Sequence, residues 1–284
     1  MRTVGVIGGS GLYEMAGLQD VERVALRTPF GEPSDEYVCG TLAATRLVFL
    51  PRHGRGHRIL PSELNFRANI HGMKQLGAEW VIGVASVGSL REDIAPGHLV
   101  VPNQLIDRTV RRPSTFFGNG VVAHVSFADP FCPVLSASLV AAAQRVGANV
   151  HAGGTYICME GPQFSTRAES VLYRQWGADV IGMTNLQEAK LAREAELCFA
   201  TLALATDYDC WHETHADVVI GDILRILNEN VAMAQRVIAE SVPRLPAART
   251  CACARALEHA IITDRARIPD AVKRDLALII GKYL

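Results

Sequence analysis

The sequence has no surplus of either charge. With 28 Lys and Arg against 29 Asp and Glu in 284 residues, it lacks the basic footprint of a nucleic-acid binder and the patch that would hold an anionic membrane. Neither partner is expected, and a small-molecule ligand is the default. No apolar run approaches membrane-spanning length, and the opening stretch MRTVGVIGGSG carries no signal-peptide pattern, so a cytoplasmic protein is expected. Internal repeats and low-complexity linkers are also missing, which predicts one domain over 1–284 with a helical tail from about residue 249.

Several familiar site patterns are absent too. Gly8-Gly9-Ser10-Gly11 follows the strand-like Val4-Gly5-Val6-Ile7, but Glu14 stands where a dinucleotide fingerprint needs its third glycine, and no Lys-Ser or Lys-Thr completes a P-loop. His53 and His57 lie in a glycine loop without a HExxH glutamate or a third ligand, so no metal is expected there. Of the seven cysteines, five are scattered singly, as in a reduced compartment. Cys251-x-Cys253 could be a redox dithiol or half of a metal site, yet no companion pair stands at suitable spacing, and a plain tail segment is the expectation.

What is present is a series of buried strands that end in polar turns. Cys198–Ala205 is a continuous apolar run, as for a strand covered on both faces, and it stops at Thr206-Asp207-Tyr208-Asp209. In an extended chain Asp207 and Asp209 would share one side, on the order of 7 Å apart. Arg46–Leu50 delivers Arg52-His53-Gly54-Arg55-Gly56-His57, a basic loop suited to an anion. Trp80–Val84 delivers Ala85-Ser86-Val87-Gly88-Ser89. Ligands of open α/β sheets collect at the carboxyl ends of strands, so the two acids are a site candidate, and the Gly8–Gly11 turn, the basic loop and Ala85–Ser89 are expected to share one oxyanion pocket.

Further along, Pro61-Ser62 should open a helix that Gly77 ends, and Pro133 another. Thr155–Met159 reads as a strand, and Thr166 with Glu169 forms a capping box. Phe164 then sits in a strand-to-helix turn, where an aromatic can stack on a flat ligand or anchor a core. Asp179–Gly182 delivers Met183-Thr184-Asn185, and a helix follows over Gln187–Glu196. Asp217 can cap a long helix striped by Ile220, Leu224, Leu227 and Val231. His124, between apolar neighbours, reads on its own as a structural histidine.

Together Gly8-Gly9-Ser10-Gly11-Leu12, Arg52-His53-Gly54-Arg55, Glu160-Gly161-Pro162-Gln163-Phe164-Ser165, Gly182-Met183-Thr184 and Thr206-Asp207-Tyr208-Asp209-Cys210-Trp211 resemble the motifs of the 5′-methylthioadenosine phosphorylases, trimeric purine nucleoside phosphorylases. The resemblance runs from Val4 to about Ser241. It implies a single α/β domain with a mixed central sheet flanked by helices. It also implies phosphorolysis of methylthioadenosine to adenine and 5-methylthioribose 1-phosphate, with phosphate as co-substrate and no metal or organic cofactor.

Carried over by position, the phosphate site would be Ser10, Arg52, His53, Ala85, Ser86 and Thr184. Met183 would hold the ribose and Phe164 would pack on the purine. Asp207 and Asp209 would face the base edge, with Asp207 as the acid that protonates N7. Ile220 and Ile223 would line the methylthio pocket, beside His124 donated by a neighbouring subunit of the trimer. One protonated and one ionised carboxyl match the N7 acceptor and N6 donor of adenine, whereas a 6-oxopurine would want two donors. A methylthioinosine or broader purine nucleoside phosphorylase is the alternative, and a non-catalytic purine sensor a more distant one. Two positions depart from the family pattern. Gln187-Glu188 stands where Pro-Glu is common, and Gly182 where some members have Asn.

Overall fold

The computed structural model describes residues 1–9, 11–212 and 220–284, and in the helix from Ile220 the side chains of 226 and of 228 onward. The expected positions of Ser10 and Asp217, and the side chains of Ile220 and Ile223, lie outside the described residues.

The strands are β1 (Thr3–Gly8), β2 (Gln19–Val24), β3 (Tyr37–Leu42), β4 (Thr45–Pro51), β5 (Trp80–Ser89), β6 (Leu99–Val101), β7 (Gln104–Arg108), β8 (Val150–Ala152), β9 (Thr155–Met159), β10 (Val180–Gly182) and β11 (Cys198–Asp207). The helices are α1 (Phe66–Gln75), α2 (Pro133–Arg145), α3 (Arg167–Gln175), α4 (Leu186–Glu194), α5 (Ile220–Ser241), α6 (Asp270–Asp275) and α7 (Ala277–Ile280). Among the described residues the strands form one mixed sheet in the order β2-β3-β4-β1-β5-β10-β9-β7. β11 pairs with β5 and β6 beside this path, and β8 extends β6.

Alternation along β11 explains its unbroken apolar sequence. Cys198, Ala200, Leu202 and Leu204 face a layer built with Leu135 and Leu139 of α2 and Ala234, Val237 and Ile238 of α5. Phe199 points the other way, against Ala189 and Leu191 of α4 and Ile70 and Met73 of α1. Both faces are thus covered by helices, and the period of two puts every side chain into one core or the other.

β4, β1, β5 and β11 run parallel, so the residues after Gly8, Pro51 and Asp207 emerge along one edge, as expected. The amide of Arg52 donates to Gly8 O at 2.9 Å, which joins the basic loop to the glycine turn.

Three expectations need correction. Ala85–Ser89 is not a turn but the second half of β5, because β11 on one side and β10 on the other continue its hydrogen bonding. Pro61 opens a single 3-10 turn, and α1 starts at Phe66 with Asn65 as its cap, the Asn65 side chain accepting from Ala68 N. β2 was not foreseen; it is an exposed edge strand without an apolar face.

Candidate active site

Asp207 closes β11 at an irregularity in its register with β5, where Ala205 pairs with Val87 and Asp207 with Gly88. The chain does not stay extended beyond it. Asp209 takes a positive φ of 51°, and its amide donates to Asp207 Oδ1 at 2.8 Å. The two acids are therefore linked through a side-chain-to-backbone turn rather than through strand alternation, which corrects the expected geometry. Thr206 Oγ1 donates to Asp207 Oδ2 at 2.7 Å, with Val87 O as its other acceptor at 3.2 Å. Gly88 makes room for this turn. A Cβ there would lie 3.0 Å from Asp207 Oδ1 and 3.2 Å from Asp209 Cβ. Trp211 Nε1 pins the far end of the turn to Ser89 O at 2.8 Å.

Both carboxyls are held above the ordinary aspartate range. For Asp207, burial is the main cause, opposed by the bonds from Thr206 and the Asp209 amide, with the Asp209 charge adding to the rise. For Asp209, burial again leads, moderated by the Ser170 and Ser165 hydroxyls and by the Cys210 amide. Asp209 Oδ2 and Ser170 Oγ are nevertheless buried without a partner in hydrogen-bond geometry. A buried carboxyl with an open oxygen is set to take a proton or a ligand's donor.

The basic loop differs from its expected character. The Arg52 guanidinium is buried, and four of its five N–H groups are committed. Nε and Nη2 bond Glu188 at 2.5 and 2.9 Å, Nη1 bonds Val84 O at 2.8 Å, and Nη2 also bonds Ile7 O at 3.2 Å. Burial opposes its charge, but Glu188 outweighs that and raises its pKa. Arg55 turns away to Asp35 and Glu36. His53 is not cationic at neutral pH, since burial and then the Arg52 charge push it down to about 4. Its Nδ1 lies 2.8 Å from Ile59 O; donation there leaves Nε2 as an acceptor. Arg52 thus reaches the edge nearly saturated and His53 as a neutral imidazole, with the ring of His57 stacked on it at 4.3 Å between centroids.

Ala85 is buried in β5 while its neighbour Ser86 is exposed, an open polar position in an otherwise covered strand. Thr184 is buried two residues before α4, and Glu188 in the first turn of that helix is the partner of Arg52. Phe164 is 57% exposed, so the core-anchor reading of it fails.

Arg112 is the residue that sequence reasoning missed. Its side chain is fully buried and donates to Met183 O at 2.6 Å, to Glu160 Oε1 at 3.2 Å, to Gln187 Oε1 at 3.3 Å, and to Glu160 O. It ties the loop after β9 to Met183 and to α4. Gln187 also donates to Thr109 Oγ1 at 2.8 Å, so the Gln that replaces Pro bonds within the scaffold. Gly182 is explained by Tyr156, whose hydroxyl fills the space a side chain would need. No sequence signal beyond an Arg-Pro turn marked Arg112.

His124 is exposed and lines a different cavity of about 470 Å³, with Phe131, Arg193, Cys251, Cys253 and His259. That cavity lies by the amino end of β11, roughly 30 Å along a ten-residue strand from the Asp pair. Within one chain His124 is therefore not brought to the Asp pair, and the structural-histidine reading fails with its exposure.

Comparison with known proteins resolves the family. Residues 3–243 match the model of the phosphorylase superfamily. An S-methyl-5′-thioadenosine phosphorylase of Geobacter sulfurreducens is 63% identical, with 100% of this chain and 99% of the relative aligned. The chain belongs to the methylthioadenosine phosphorylase family. Another relative of that name, from Koribacter versatilis, is 59% identical over 99% of this chain and 96% of its own length. The crystal structure of a methylthioadenosine phosphorylase from an antarctic soil metagenomic library superposes with a TM-score of 0.93 at 46% identity, covering 98% of both chains. The Schistosoma mansoni methylthioadenosine phosphorylase in complex with adenine superposes at 0.83 with 33% identity, covering 99% of this chain and 98% of that one. The mixed α/β sheet flanked by helices is thus the nucleoside phosphorylase fold of the family.

Proposed function

We propose that this chain, one domain over 1–284, cleaves methylthioadenosine with phosphate, giving adenine and 5-methylthioribose 1-phosphate. The observation that carries the reading is the pair of half-buried Asp207 and buried Asp209, both raised in pKa, at the carboxyl edge of the sheet. Asp207, protonated, donates to purine N7 as the C1′–N9 bond breaks. Phosphate attacks C1′, and the proton it loses on forming the ester balances the one passed to adenine. Asp209 is the acceptor for the N6 amino group. Facing a 6-oxopurine, it would leave a buried acceptor against an acceptor, at a cost of about 1–3 kcal/mol.

Phosphate would be held by Ser10, His53, Ser86 with Ala85, Thr184 and the remaining Nη1 hydrogen of Arg52, with the amides of α4 adding a partial positive charge. Met183, fixed by Arg112, would meet the ribose, Phe164 the purine face, and Ile220 with Ile223 the methylthio group. His124 would enter from a neighbouring subunit of a homotrimer, for its own chain places it far from the Asp pair. Phosphate is then a co-substrate and the reaction needs no cofactor. Among the described residues no helix is long and apolar enough to cross a membrane, and a cytoplasmic salvage enzyme fits the reading. Phosphorus NMR of methylthioadenosine incubated with enzyme and phosphate tests it. A pentose 1-phosphate signal growing in step with free adenine is expected, and adenine release without that signal would overturn it.

A further inference from the structure

The thiols of Cys132, Cys198, Cys251 and Cys253 converge although they come from three distant parts of the chain. All four Sγ atoms lie within 4.8 Å of one another. Cys251 Sγ is 3.3 Å from Cys198 Sγ and 3.6 Å from Cys132 Sγ. Cys251-x-Cys253 therefore has the companion pair that the sequence spacing did not disclose. Four thiolates around one tetrahedral zinc at about 2.3 Å would stand about 3.8 Å apart, inside this range. One sulfur facing two neighbours at similar distance is the arrangement of a shared centre, whereas a disulfide would select one partner at about 2.05 Å.

The local structure places these sulfurs at a helix start and beside a cavity. Cys132 is the N-cap residue of the thirteen-residue α2 with no side-chain bond to its amides, so its sulfur stands at the positive end of a helix dipole. Cys251 and Cys253 line the 470 Å³ cavity together with His124, Asp129, Arg193, Arg255 and His259, which gives an ion a way in. Cys132, Cys198 and Cys253 are buried.

We propose that these four cysteines bind one thiophilic divalent ion, zinc by preference, as a closed structural site. Binding forms four metal–sulfur bonds and releases the thiol protons to solvent. A closed tetrathiolate has no position for substrate, and this one would lie at the opposite end of β11 from Asp207. Its effect is to clamp α2 and β11 to the tail. That tail is also fastened at Glu196, which accepts from Leu257 N at 3.1 Å and Tyr283 Oη at 2.5 Å and pairs with Lys282 at 2.6 Å, and at Val122, whose carbonyl accepts from Ile262 N at 2.9 Å.

The test is metal content by mass spectrometry of the full chain purified under reducing conditions from zinc-supplemented medium, with cobalt titration of the stripped protein. About one zinc per chain and a thiolate-to-cobalt absorption band are expected. A Cys251→Ser/Cys253→Ser variant should lose both signals, and Cys39→Ala, altered in a core strand elsewhere, should keep them. If the double variant does not fold, the cobalt titration of the unaltered chain still decides. Less than about a tenth of an equivalent of zinc with no cobalt band, or the four thiols paired as disulfides in the reduced preparation, would overturn the proposal.

Discussion

The Arg52 guanidinium and the Glu188 carboxylate meet side on, Nε to Oε1 at 2.5 Å and Nη2 to Oε2 at 2.9 Å, with 4% and 0% of their side chains exposed. Glu188 both holds the guanidinium in one plane and offsets its charge. Removing one member of a buried pair leaves the other uncompensated, at about 3–5 kcal/mol. Glu188→Ala is therefore expected to lose that much stability in denaturant unfolding and to raise the KM for phosphate. A loss under about 1 kcal/mol would show that water or a rearranged loop satisfies Arg52.

Asp207→Asn removes the donated proton while keeping the shape of the turn. Phosphorolysis should fall about 100- to 10,000-fold, with nucleoside binding by calorimetry much less affected. Near-normal turnover would place the acid elsewhere. Asp209→Asn has a separate signature. The Asp209 charge helps to raise the Asp207 pKa, and activity requires Asp207 protonated, so kcat falls as pH rises through that pKa. Removing the charge lowers the pKa and should shift this alkaline limb to lower pH.

Glu194 predicts a pH dependence of stability with no link to catalysis. Burial pushes it up to about 7, against the opposing bonds from the Phe116 amide and the Thr115 hydroxyl. The folded state binds its proton more tightly than the unfolded chain, so its favourable contribution is present below the unfolded value of 4.5 and declines as pH rises to about 7. Unfolding free energy of the wild type minus that of Glu194→Gln should fall by roughly 3 kcal/mol across this window. A flat difference would contradict the assignment.

Phe164 is largely exposed and belongs to no core cluster. Phe164→Ala should leave the unfolding free energy within about 0.5 kcal/mol and raise KM for the nucleoside, as loss of a stacking face would. A destabilised protein with unchanged KM would reverse both statements.

What the sequence disclosed and what it withheld divide along physical lines. Cys198–Ala205 and Thr155–Met159 were legible because buried strands leave unbroken apolar runs, and the α3 cap because Thr166 and Glu169 are three residues apart. Ala85–Ser89 misled because small residues suit a turn as well as a strand that passes close to a neighbour, and Gly88 here approaches Asp207. The polar β2 has no apolar periodicity to read. The partner of Arg52 stands 136 residues away, and the cysteine cluster joins positions from 132 to 253; only the fold makes these neighbours. The basic loop looked cationic because sequence shows charges but not the carboxylates and burial that quench them.

The most direct measurement is adenine release from methylthioadenosine with and without phosphate, with methylthioinosine run alongside. The Asp207–Asp209 account predicts phosphate-dependent release and a kcat/KM at least about tenfold higher for the 6-amino substrate. An equal or greater kcat/KM for methylthioinosine would contradict the assignment of the two acids to the base edge.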